Sequence, residues 1–205
     1  MVGFAMTAAL IFTGSATAAT TVGNGCAANE WLERATVVSL AGDAGNPFPN
    51  AIPSAGVITS WSLNNDELDR SSGFVLQQKL KIFRPTGIPG QLTVVGESAL
   101  GTVRHGMNTF STRIPVQAGD LIASTGVLLF DFDTGAERPL RKPALICGGT
   151  HPEEEIPGDV VGIVDGDPST GSTARIVGKG YEIAVPITVT VEPDGHGHGH
   201  GHGHG

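Results

Sequence analysis

From residue 183 to residue 191 the chain alternates without a break. Ile183, Val185, Ile187, Val189 and Val191 share one parity, and Ala184, Pro186, Thr188 and Thr190 share the other. A period of two puts the five aliphatics on one buried face of a strand. Pro186 falls on the outer face and has no N–H for a ladder, which suits an edge strand or a bulge. Residues 56–63 repeat the pattern, with Val57, Trp61 and Leu63 on one face and Ser60 and Ser62 on the other. In 75–83, Leu76, Leu80 and Ile82 line up ahead of the turn cluster Arg84-Pro85-Thr86-Gly87. Further strands are expected at 35–40, 91–95, 108–114, 120–124, 127–132, 144–147 and 159–164, nearly all separated by Gly, Pro, Asn or Asp.

Many short strands with no helical period between them predict an all-β chain, an antiparallel β-sandwich of jelly-roll-like form. A βαβ fold would need crossover helices, and none can be written here. Two loops look long: 43–54, rich in Asn and Pro, and 150–158, which carries Glu153-Glu154-Glu155. Residues 2–12 are apolar and run into Gly14-Ser15-Ala16-Thr17-Ala18-Ala19, where Ala16-Thr17-Ala18 reads as an A-x-A cleavage signal, although no Lys or Arg precedes the apolar run. The expected organisation is a signal peptide over 1–18, a β-sandwich domain over 19–194 and a His-Gly tail, expected to be disordered, over 195–205. The apolar start is too short to span a bilayer, so no membrane insertion of the mature chain is expected.

Composition agrees with strands, since 30 Gly and 13 Pro in 205 residues punctuate Val-, Ile-, Thr- and Leu-rich runs. The net charge of -8, with no basic stripe, disfavours nucleic acid, whose binding needs clustered Lys and Arg. It also disfavours anionic membrane surfaces.

Three runs carry a resemblance: Gly56-Val57-Ile58-Thr59-Ser60-Trp61-Ser62, Leu80-Lys81-Ile82-Phe83-Arg84-Pro85 and Thr93-Val94-Val95-Gly96-Glu97-Ser98. Residues 108–122, from Asn108 through Ile114, Pro115 and Gly119 to Ile122, continue it. Together they are similar to an uncharacterised extracellular β-sandwich domain of secreted Gram-positive bacterial proteins. The resemblance covers the middle third of the chain and implies fold and export; it carries no catalytic signature. Members often continue into acidic Asp/Gly calcium repeats, whereas here Glu192-Pro193-Asp194 leads into the His-Gly tail.

Candidate chemistry is sparse. Gly96-Glu97-Ser98-Ala99-Leu100-Gly101 is one residue too long for a nucleophile elbow, and a triad on Ser98 would need His105 or His151. Asp131 and Asp133 flank Phe132 and would share a strand face, while Asp165 and Asp167 sit in a Gly-Pro-Ser loop. Glycosidases use carboxylate pairs, but these read as a solvated strand face and a polar turn. The 165–169 loop is oxygen-rich enough to suggest a structural calcium site, though Thr170 and Ile176 break an EF-hand pattern. Cys26 and Cys147, an even count in an exported chain, are expected to form one disulfide. His196, His198, His200, His202 and His204 alternate with Gly, a pattern able to wrap copper, nickel or zinc; a tag or a low-complexity expansion would have the same composition.

The reading is a secreted, non-catalytic β-sandwich with a binding or cell-surface structural role, an unidentified extracellular partner and an accessory metal-binding tail. A carbohydrate-binding module is the first alternative, and a hydrolase using Asp131/Asp133 or Ser98 the second.

Overall fold

Alternation and turn residues give strands throughout the computed structural model, which describes residues 18–32, 35–41, 50–65, 75–128, 143–148 and 160–194. In chain order they are β1 (Thr20–Gly23), β2 (Glu30–Leu32), β3 (Ala35–Ala41), β4 (Gly56–Asn65), β5 (Leu76–Pro85), β6 (Gln91–Glu97) and β7 (Gly101–Thr102). There follow β8 (Gly106–Val116), β9 (Leu121–Leu128), β10 (Ala144–Gly148), β11 (Val160–Asp165), β12 (Thr173–Tyr181), β13 (Ile183–Ala184) and β14 (Ile187–Glu192). No helix occurs among the described residues. The protein is all-β, with antiparallel sheets packed together in a sandwich-like arrangement.

One sheet has the order β1-β14-β4-β8, and a second, small one the order β13-β10-β2. The third runs β6-β12-β11-β3-β9-β5-β7, and β5 pairs with β6 as well, so six of its strands close into a ring. Closure removes the free edges that an open sheet would expose. A small apolar cluster fills the ring: Val38, Phe83, Leu92, Val94, Ala123 and Val164. On its other face the ring packs against the four-stranded sheet through a larger core. Leu80, Ile82 and Ile122 from the ring meet Trp61, Ile187 and Val189 from the sheet. Trp61 is 1% exposed and tilts against Phe110, with ring centroids 4.4 Å apart.

Several sequence expectations need correction. The 183–191 run is two strands: β13 pairs with β10, and β14 lies centrally between β1 and β4. Pro186 occupies the break, where Ile187 N–H donates to Val185 O at 2.8 Å. All five aliphatics are nevertheless buried, but so are Ala184 and Pro186, which does not lie on an outer face; burial alternates only along β14. Val57 does not share the face of Trp61. Against β14, Thr59 has no opposite residue, and this bulge reverses parity so that Ile58, Trp61 and Leu63 face the core. The strands expected at 120–124 and 127–132 are one through Ser124-Thr125-Gly126, because β9 is continuous to Leu128; 129–132 lie outside the described residues. Four strands were not anticipated: β1, β2, β7 and β12.

Candidate functional site

The most concentrated chemistry among the described residues lies inside the ring. β5 alternates so that Leu80 and Ile82 face the large core, and Lys79, Lys81 and Phe83 point into the ring. β6 reaches the same interior by a bulge. Lys81 opposes Glu97, Ile82 opposes Gly96 and Phe83 opposes Val94, leaving Val95 without an opposite residue. Glu97 and Val94 are thereby set on the inner face. Gly96 is required here because a Cβ at that position would strike the Ile114 side chain.

The fourth member comes from the loop after β11. Gly166 turns the chain with φ 69°, and its carbonyl accepts from Thr36 Oγ1 at 2.7 Å. Further along, Gly171 N–H donates to Val94 O at 2.8 Å and Val94 N–H to Ser172 O at 3.0 Å. Pinned to β3 and β6, the loop lowers Asp167 onto the two lysines.

Lys81 Nζ lies 2.6 Å from Glu97 Oε2, 2.8 Å from Asp167 Oδ1 and 2.5 Å from Pro168 O. Its side chain is fully buried. Lys79 Nζ lies 3.0 Å from Glu97 Oε2 and 3.1 Å from Asp167 Oδ2. Two ammoniums and two carboxylates balance, so the group is neutral as a whole. Burial alone would raise both carboxylates, but hydrogen bonds from Lys81 and Lys79 outweigh it and hold Glu97 and Asp167 below their ordinary values. Burial would lower Lys79, yet its bonds to Glu97 and Asp167 hold it above the usual lysine value.

Asp167 is therefore no solvated turn carboxylate; it is 14% exposed and paired with both lysines. Asp165 is exposed and stands apart at the end of β11. Ser98 continues the β5 ladder: its amide donates to Leu80 O at 2.9 Å and its hydroxyl accepts from Leu80 N–H at 3.0 Å. The same hydroxyl donates to Ala99 O at 2.8 Å, so its hydrogen-bonding capacity serves the backbone. His105 is exposed just before β8. Asp131, Asp133, His151 and His196, His198, His200, His202 and His204 lie outside the described residues, as do 1–17 of the expected signal peptide.

Cys26 and Cys147 form the expected disulfide, with Cα atoms 6.2 Å apart and a sequence separation of 121. It fastens the β1–β2 connection to β10. Such a bond is characteristic of an oxidising environment.

No family model, curated protein or solved structure matches this chain. What stands of the resemblance noted above is an all-β protein with several antiparallel sheets.

Sequence reasoning passed over Lys79, Lys81 and Glu97. The available signal was parity: Lys81 sits between Lys79 and the ring-filling Phe83 on one face of a strand whose other face is buried too. A lysine on a two-sided buried strand must find partners.

Proposed function

We propose that this protein is a secreted, non-catalytic β-sandwich that binds or stiffens an extracellular or cell-envelope polymer. The observation that carries this reading is the division of its polar groups. Glu97, Asp167, Asp120 and Ser98 are committed to internal partners, whereas one broad sheet face presents ranks of exposed or half-buried hydroxyls. That face is the outer side of β1-β14-β4-β8. Thr21, Thr190, Ser60 and Ser111 form one rank across four strands, and Thr188, Ser62 and Thr109 form a second. The Ser62 and Thr109 hydroxyls hydrogen-bond each other at 2.9 Å, each keeping further capacity for a ligand. Uncharged hydroxyl ranks suit a neutral, polyhydroxylated ligand that exchanges hydrogen bonds with them. The disulfide and the A-x-A motif support export.

The hydroxyl ranks favour carbohydrate as a second, narrower reading, although the exposed aromatics Trp31 and Tyr181 lie on β2 and β12, away from that face. Affinity electrophoresis through gels holding soluble glucans, mannans or peptidoglycan fragments tests both. Retardation by one polymer that disappears in Thr109→Arg is the supporting result; equal mobility in every gel removes this face as a binding surface.

The His-Gly tail adds transition-metal binding on its five imidazoles, copper ahead of nickel and zinc. Calorimetry with and without residues 195–205 tests it: unchanged copper binding after truncation would move the site into the body.

A further inference from the structure

We infer that Lys81 and Asp167 are a site of spontaneous covalent cross-linking, in which Lys81 Nζ and Asp167 Cγ condense to an amide. This goes beyond the functional reading above and does not depend on it.

The geometry brings the two reacting groups together and places a proton carrier beside them. Lys81 Nζ stands 2.8 Å from Asp167 Oδ1 in a water-poor setting, its side chain fully buried. Ions held in contact there react at a high effective concentration. Glu97 Oε2, 2.6 Å from the same nitrogen, is placed to take a proton from it and return that proton to the departing oxygen. Lys79 Nζ, 3.1 Å from Asp167 Oδ2, faces the oxygen on which negative charge builds when the carboxyl carbon becomes tetrahedral. Pro168 removes the ordinary competitor. An aspartyl carbon is most often attacked by the amide nitrogen of the following residue, and proline has no N–H to give.

The step balances. The Lys81 ammonium passes one proton to Glu97, and its lone pair forms the C–N bond at Asp167 Cγ. The C–O bond breaks, and the oxygen leaves as water with the proton from Glu97 and a second from the nitrogen. Glu97 ends as it began, paired with Lys79. One cation and one anion are consumed, so the group stays neutral while two buried charges, costly to keep out of water, disappear. No oxidant or cofactor is required. Lys79 is second choice as nucleophile, being farther from Asp167 and partly exposed.

The product ties β5 to the β11–β12 loop across 86 residues. Mass spectrometry of the full-length, disulfide-reduced protein tests the proposal without any variant. The expected mass is that of the chain less one water, and proteolysis should yield a branched peptide joining Lys81 to Asp167. An unshifted mass, with the two residues in separate linear peptides, overturns it. So does a lost water that maps to a succinimide at Asp165-Gly166 instead. Glu97→Gln should restore the full mass even where the variant folds poorly; a branched peptide persisting in that variant removes Glu97 from the step.

Discussion

Arg84 holds Asp120 through two parallel hydrogen bonds, Nε to Oδ1 at 2.8 Å and Nη2 to Oδ2 at 2.9 Å. The carboxylate is 1% exposed and also accepts from Gln117 N–H at 2.7 Å, while the Asp120 carbonyl accepts from Ile52 N–H at 2.8 Å. Through side chain and carbonyl together, Asp120 thus joins the end of β5, the β8–β9 turn and the segment leading to β4. Its pairing with Asp120 holds Arg84 above the ordinary arginine value, with burial opposing only in part.

Asp120→Ala removes the acceptor for three donors. Breaking a buried pair from one side costs about 3–5 kcal/mol, and this pair, with its arginine partly in solvent, should fall near the lower end. Urea unfolding of the variant should show that loss; a change below about 1 kcal/mol would mean that the pair is mostly screened.

Trp61 fills the space between the four-stranded sheet and the ring, so Trp61→Ala should lose about 3–5 kcal/mol and melt far below the wild type. Its neighbour on the other parity, Ser62, is half-buried on the outer face, and Ser62→Ala should melt within a few degrees of the wild type. Thermal unfolding of Ile58→Ala beside Val57→Ala checks the bulge at Thr59: only Ile58→Ala should melt far below the wild type, whereas a strand without the bulge would bury Val57 beside Trp61 and turn Ile58 outward.

The ion group predicts a pH profile. Glu97 has a folded value below its unfolded one of about 4.3, so its stabilisation is complete above that pH and disappears as pH falls through the lower folded value. Lys79 is shifted upward, so its share is present below its unfolded value of about 10.4 and fades as pH rises past the folded one. In a Lys81→Met background, which cannot form the cross-link and leaves Glu97 paired with Lys79, unfolding free energies with and without Glu97→Gln between neutral pH and strong acid should differ by an amount that shrinks below about pH 4. A difference constant across that range would contradict the ion-pair account of Glu97.

The sequence made the all-β class, the antiparallel packing and the disulfide legible, because each rests on local or countable signals: parity, turn residues and two cysteines. It made the ring illegible. Closure depends on β5 pairing with both β6 and β9, and on β12 bridging β6 to β11, none of which leaves a local mark. β12 escaped notice for a different reason. Its outward positions include Val177, and its inward ones Gly178 and Gly180, so neither parity looks apolar. Bulges at Thr59 and Val95 each reversed which parity faces inward, and the second of these is what brings Glu97 to Lys81. Asp167 was visible as a residue, but its lysine partners lie more than eighty positions away along the chain.

The account rests most heavily on the claim that this protein binds its surroundings without chemically changing them. The direct test is to incubate the oxidised protein with isolated cell envelope, sediment the envelope, and assay the pellet for protein and the supernatant for released fragments. The account predicts saturable co-sedimentation with no fragments above the protein-free control. Fragments that accumulate in proportion to protein and time, or an envelope that retains no protein at any concentration, would contradict it.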